Sequence, residues 1–258
     1  MQLEGKVAVI TGGGRGIGRS IALAFARQGA RVVVAARTRS QLESVCQEVA
    51  GFGGKGMAVP CDVTNRTEIE QLVDRTHQEW GAIDILVNNA GIAVSSKTVE
   101  MDDDLWEKVL RVNLTAPFYC TKAVLPDMIE RRQGRIINIA STAAKVGLRY
   151  TAAYTASKHG LLGFTRALAL EMVRYNVTVN AICPGWVATD MTFAGAENIS
   201  EKTGMSKEEA LQTLARMCPQ NRLMEPDEVA HVAVMLASDE ARGITGQAIN
   251  VDGGAVMF

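Results

Sequence analysis

The chain has 258 residues, is 47% hydrophobic and carries Lys+Arg 27 against Asp+Glu 28, a net charge of -1. That length supports one large buried core and a single domain over residues 1–258, and the balanced charge gives no global field toward nucleic acid or an anionic membrane. The five cysteines are scattered and lack CxxC spacing, which argues against a disulfide framework or a metal site and fits a reducing, cytoplasmic setting.

The first predicted strand, Lys6 to Ile10, begins almost at once, with no charged leader, cleavage site or bilayer-spanning apolar run before it. It enters Thr11-Gly12-Gly13-Gly14-Arg15-Gly16-Ile17-Gly18 and then a helical stretch, Ser20 to Gln28. Glycines let the backbone approach a pyrophosphate, and the helix N-terminus beyond offers unpaired N–H groups and the positive end of its dipole. The spacing at Gly12, Gly16 and Gly18 is G-x-x-x-G-x-G and differs from the general dinucleotide fingerprint. The strand before it and the helix after it distinguish it from an ordinary flexible turn.

The second strand, Arg31 to Ala36, ends without the acid that would bind an adenosine ribose hydroxyl and repel a 2'-phosphate. Arg37 at that end and Arg15 in the glycine turn suit a 2'-phosphate, so NADP(H) is favoured over NAD(H). The third strand, Lys55 to Val59, leads through Asp62-Val63-Thr64-Asn65 into a helix whose Ile69, Leu72, Val73 and Trp80 share a stripe. The fourth, Asp84 to Asn88, runs into Asn89-Ala90-Gly91, and the fifth, Arg135 to Ala140, ends at Ser141.

In YTASKHG, Tyr154 and Lys158 lie one helical turn apart on one face, where the cation can stabilise phenolate. Tyr154 is then the proton donor or acceptor for a carbonyl/alcohol pair, with the Ser141 hydroxyl bonding the substrate oxygen. The sixth and seventh strands are Val177 to Ile182 and Ala248 to Val251. Strands alternating with helical patterns predict an α/β fold, a doubly wound parallel seven-stranded sheet with helices on both faces, and nearly continuous apolar strands predict burial on both sides. One segment, Thr189 to Asn221, interrupts the rhythm. Ser206 to Glu209 there form a capping-box pattern, and Met191, Phe193, Met205, Leu211, Leu214 and Met217 give an apolar face. It is expected to be a substrate lid over about 190–217, with Trp186 as the adjoining wall.

Together these motifs resemble the classical short-chain dehydrogenase/reductase family, from about Leu3 to the last strand. The family's TGxxxGxG turn is Thr11, Gly12, Gly16 and Gly18; its NNAG motif is Asn88 to Gly91; its YxxxK is Tyr154 and Lys158; its PG motif is Pro184-Gly185. The resemblance implies a single Rossmann-type domain and a catalytic tetrad of Asn113, Ser141, Tyr154 and Lys158. In that tetrad Asn113 holds a relay water and Lys158 the nicotinamide ribose hydroxyls. It implies NADP(H) contacts at Gly12, Arg15, Gly16, Ile17, Gly18, Arg37, Asp62, Val63, Asn89, Gly91, Tyr154, Lys158, Pro184, Gly185, Val187 and Thr189. Asp62 would bind the adenine amino group. Substrate contacts are expected at Ser141, Tyr154, Trp186, Met191 and Phe193, and no metal is expected.

GRIINIAS, YTASKHGLLGFTRALALE and VTVNAICPG look like the ketoreductases of fatty-acid and aromatic polyketide synthesis. This implies a ketone substrate carried as a 3-oxoacyl thioester on coenzyme A or an acyl carrier protein, and a homotetramer in which a partner partly covers Leu161, Phe164 and Leu168. Of the carrier-docking arginines, Arg132 is in place, while Arg174 precedes the second site, which Tyr175 occupies. A free cyclic or other secondary alcohol is the alternative substrate. A non-catalytic NADP(H)-binding regulator is a further reading, against which the intact tetrad argues. His77, His159 and His231 have no partners at ligand spacing, and no G-x-S-x-G elbow precedes Ser141, so a hydrolase triad is rejected.

Overall fold

The computed structural model describes residues 1–258, and the seven runs rich in β-branched residues form seven strands: β1 (Val7–Thr11), β2 (Arg31–Ala36), β3 (Lys55–Pro60), β4 (Ile85–Asn88), β5 (Gly134–Ile139), β6 (Val177–Pro184) and β7 (Ala248–Val251). All neighbours pair in parallel, in the order β3-β2-β1-β4-β5-β6-β7. The helices are α1 (Gly16–Arg27), α2 (Arg39–Gly51), α3 (Arg66–Trp80), α4 (Asp103–Leu110), α5 (Ala116–Arg131), α6 (Ala152–Met172), α7 (Asp190–Thr203), α8 (Lys207–Arg216) and α9 (Pro226–Ala237).

Strand side chains alternate between faces, and both faces are covered. Ala8, Ile10, Val32, Val34 and Val87 pack with Ile21 and Phe25 of α1, Leu42 of α2 and Ala233 of α9. On the other side Val9, Val33, Leu86 and Ile136 meet Ile69 and Leu72 of α3, Val124 and Met128 of α5 and Leu168 of α6. Each such large side chain contributes about 1.5–3 kcal/mol on burial. An exposed ion pair such as Arg39–Glu43 gives about 1 kcal/mol at most, so the two apolar layers set where the helices sit. Two strands depart from the expected two-sided burial. In β3 only Val59 is buried, and no residue of β7 is, because these are the sheet's edges and each has a neighbour on one side only.

A buried polar ladder ties the sheet to α5 and α6. Asn88 Nδ2 donates to Thr121 Oγ1 at 3.1 Å and to Asn138 Oδ1 at 2.9 Å, and Asn138 Nδ2 donates to Thr165 Oγ1 at 2.8 Å. Breaking one such buried bond costs about 1–3 kcal/mol, so the ladder fixes α6 along its axis. Between α4 and α5 the helix widens into a π turn, Arg111–Thr115, which carries Asn113.

Helices α7 and α8 pack on each other and enclose a small core of Ala196, Ala210 and Leu214, with Trp186, Ile199, Leu211 and Leu223 against it. Both halves of the Ser206/Glu209 capping box are formed at the start of α8. No helix is long and apolar enough to cross a membrane.

Candidate active site

Strand order reverses around β1, whose two neighbours are β2 and β4, and crevices in such sheets open at the carboxyl ends of strands at that point. The glycine turn leaves β1 there. It is held by Thr11, whose Oγ1 donates to the Val87 carbonyl at 3.3 Å and accepts the Asn89 and Ala90 amides at 3.0 and 3.1 Å. Gly12 has φ +64, and a Cβ on it would lie 2.8 Å from Asn89 Nδ2 and 2.9 Å from Ala90 Cα. Glycine is therefore required at this position both by conformation and by space.

α1 starts at Gly16, earlier than the expected Ser20, because the end of the glycine turn is already helical. Its N-cap, Arg15, makes no side-chain cap and its first turn holds no acid, so the N-terminal N–H groups remain free for a phosphate. Ile17 and Gly18 lie in this same first turn. These features fit the pyrophosphate of a dinucleotide.

The two arginines expected to share a 2'-phosphate differ in their surroundings. Arg15 Nη1 lies 3.1 Å from Asp190 Oδ2 at the start of α7, and both side chains are exposed. Arg37 makes no such ion pair, and its charge acts on Asp62. Burial raises the Asp62 carboxyl, but bonds from the Thr64 amide and hydroxyl (2.9 and 2.8 Å) and the Arg37 charge outweigh it and leave the group below its ordinary value. Asn65, not Asp62, caps α3 by accepting the Thr67 amide at 3.1 Å, while Val63 is buried beside Asp62. Asn89 Nδ2 donates to the Thr11 and Gly12 carbonyls at 2.9 and 3.1 Å. Its side chain holds the turn in place.

The ends of β5 and α6 bring Ser141, Tyr154 and Lys158 together. Ser141 Oγ accepts the Ala143 amide at 3.1 Å, and its hydroxyl acts on the Tyr154 phenol, pulling that group's pKa down. Lys158 Nζ donates to the Ile139 carbonyl at 2.8 Å and sits 5.7 Å from the centre of the Tyr154 ring. Burial lowers the Lys158 ammonium to about 8, partly opposed by the neighbouring Cys183. Burial likewise raises the Tyr154 phenol, and the Ser141 bond only partly offsets this.

Asn113 is fully buried and turned toward the loop after β4, with its Oδ1 accepting the Ile92 amide and its Nδ2 donating to the Ile92 carbonyl, both at 2.9 Å. A Cβ on Gly91 would lie 3.3 Å from Asn113 Oδ1 and 3.8 Å from Lys158 Nζ, so two tetrad residues meet at this glycine. On the far side, Pro184 and Gly185 end β6, the Gly185 amide bonds the Val251 carbonyl at 3.0 Å, and Val187 bridges to Met224. Thr189 Cγ2 would lie 3.2 Å from a Cβ on Gly16, which places β6's exit against the glycine turn. Met191 and Phe193 on α7 are each 46% exposed, so the expected apolar face of this segment is only partly covered by its own chain.

A sequence model described as enoyl-(acyl carrier protein) reductase matches residues 12–256. The chain belongs to the short-chain dehydrogenase/reductase family. It is 42% identical over 253 residues to a protein of Streptomyces coelicolor named as a ketoacyl reductase, covering 97% of each chain. It is 40% identical over 257 residues to the 3-oxoacyl-[acyl-carrier-protein] reductase of Thermotoga maritima, covering 100% of each. A crystal structure of an actinorhodin polyketide ketoreductase variant with NADPH superposes with a TM-score of 0.96 at 42% identity, over 100% of this chain and 99% of that one.

Within this short-chain dehydrogenase/reductase, sequence reasoning missed three residues of the site: Thr11 as the clasp between β1 and β4, Asp190 as partner of Arg15, and Ser157, whose hydroxyl accepts from Asn113 at 3.1 Å. Thr11 and Ser157 had a local signal, since they lie within the TGGGRGIG and YTASK stretches, and Asp190 had none.

Proposed function

We propose that this protein is an NADPH-dependent reductase of 3-oxoacyl thioesters, with Asn113, Ser141, Tyr154 and Lys158 as its catalytic groups. The observation that carries this reading is the cluster of Ser141, Tyr154 and Lys158 where β5 ends and α6 begins, in a chain that matches 3-oxoacyl and polyketide ketoreductases along its length. The matching sequence model bears the name of an enoyl reductase, but the full-length relatives that share this chain's motifs are named for ketone reduction.

When bound, the reduced nicotinamide supplies the hydride. The chain's own residues manage the proton. Tyr154, raised by burial, is protonated across the neutral range and gives its Oη proton to the substrate oxygen. Ser141 donates a hydrogen bond to that same oxygen as charge develops on it. Lys158 retains its ammonium at neutral pH, being lowered only to about 8, and steadies the phenolate left behind. The glycine turn and the first turn of α1 would hold the pyrophosphate, Arg37 and Arg15 the 2'-phosphate, and Asp62 the adenine.

For the substrate, α7 and α8 act as an inserted lid on one domain, presenting Met191, Phe193, Met205 and Met217 to an acyl chain; each is exposed in the isolated subunit. An acyl carrier protein is supported by a cationic surface near the end of α5. Arg132 Nη2 donates to the Arg174 carbonyl at 2.6 Å, and the Arg174 guanidinium stacks 4.9 Å from the centre of the Tyr175 ring. The cation therefore lies over position 175 despite the one-residue offset. The test is NADPH consumption over a panel of 3-oxoacyl thioesters, diketones and cyclic ketones. The proposal expects kcat/KM for the thioester to exceed that for a cyclic ketone by roughly tenfold or more. The reverse ranking would assign the free ketone.

A further inference from the structure

Ser157 is one helical turn beyond Tyr154, directly before Lys158, and it is 0% exposed. Its Oγ donates to the Tyr154 carbonyl at 2.7 Å and accepts from Asn113 Nδ2 at 3.1 Å. A hydroxyl has one proton. Because that proton is committed to Tyr154, Ser157 presents only a lone pair to the π turn, and only the NH2 end of the Asn113 amide can face it. The other end of the contact agrees, since Asn113 Oδ1 takes the Ile92 amide and Nδ2 gives its second proton to the Ile92 carbonyl. Flipping the amide would break three bonds together and leave polar atoms buried without partners.

We propose that Ser157 is a positioning residue of the reaction. Its hydroxyl fixes the orientation of the Asn113 amide, and through it the π turn, the Gly91–Ile92 loop and α6 keep one relative arrangement. A π turn interrupts the regular i→i−4 ladder and needs tertiary anchoring. The groups thereby aligned are Asn113 Oδ1 and Lys158 Nζ, which converge on Gly91. Ser157 touches neither substrate nor cofactor in this scheme and acts only through Asn113. The inference rests on the tetrad reading given above.

The test is a double-mutant cycle of Ser157→Ala and Asn113→Ala, reading kcat for ketone reduction alongside NADPH affinity from nucleotide fluorescence. Small misplacements of catalytic groups reduce rate by up to roughly a hundredfold. Ser157→Ala is expected to lower kcat about ten- to a hundredfold with NADPH Kd within about twofold, and the double variant to be no slower than Asn113→Ala alone. Ser157→Cys fills the same space with a poor acceptor and is expected to follow Ser157→Ala. Additive losses, full recovery of kcat in Ser157→Cys, wild-type kcat in Ser157→Ala, or a loss confined to NADPH affinity would each overturn the proposal. If Asn113→Ala is impaired and Ser157→Ala is normal, only the role of Ser157 falls. If Asn113→Ala itself keeps wild-type kcat, the tetrad assignment falls and takes this inference with it.

Discussion

Lys158 brings a positive charge to a position 5% exposed and balances it with one carbonyl, that of Ile139. Its pKa falls from 10.5 to about 8 in the folded chain because burial disfavours the ammonium. Between those values the unfolded chain binds more protons than the folded one, so this group's contribution to stability rises with pH. Compared by urea unfolding, wild type should gain about 3 kcal/mol over Lys158→Met as pH rises from about 7 to about 11; a difference that stays constant with pH would contradict the buried ammonium. For the cofactor, Arg15 pairs with Asp190, and Arg37 is proposed to carry more of the discrimination. Ala36→Asp combined with Arg37→Ala should shift preference from NADPH toward NADH by about tenfold or more, measured as the ratio of kcat/KM values. A wild type that uses both nucleotides equally would refute this assignment. Gly12 and Gly16 were legible in the sequence because a missing side chain marks backbone conformation directly. The Asp190 pairing was not, since its partner lies 175 residues away in the chain and no local period encodes it. The same holds for Asn113 and Ser157, 44 residues apart.

At the scale of elements, the strands were legible because β-branched runs between helical periods leave little choice. β2 and β7 have the bounds expected, and the others differ only at their ends. β6 extends to Pro184 because Pro184 still pairs with Val251. What the pattern could not give was which strands are edges, since that depends on the order in which the strands assemble. The tertiary role of the α7–α8 pair was equally hidden: its apolar face divides into Leu214, buried against Ala196 and Ala210, and Met191, Phe193, Met205 and Met217, left exposed. That division supports a lid that folds on its own small core. Phe193→Ala should change the ratio of kcat/KM between small and bulky ketones by several-fold while moving Tm by less than about 2 °C, because a 46%-exposed side chain contributes little to folding. A large fall in Tm with unchanged substrate ranking would make α7 a structural element instead.

For the whole molecule, Leu161 and Leu168 prove to be buried within the subunit, contrary to the expectation that a partner covers them. The exposed apolar groups on α5, α6 and the turn after it are Phe118, Leu170 and Val173, at 43%, 80% and 62% exposure. We expect a homotetramer assembled through α5 and α6, in sedimentation equilibrium at micromolar concentration. A monomer there would contradict it. Ketone reduction at this site depends on Tyr154 delivering the proton. The most direct test compares wild type with Tyr154→Phe for NADPH oxidation by a 3-oxoacyl thioester, with NADPH affinity measured on the same samples. Loss of a positioned general acid is predicted to lower kcat by about a hundredfold or more with NADPH Kd almost unchanged. A Tyr154→Phe enzyme that retains most of its turnover would contradict the mechanism.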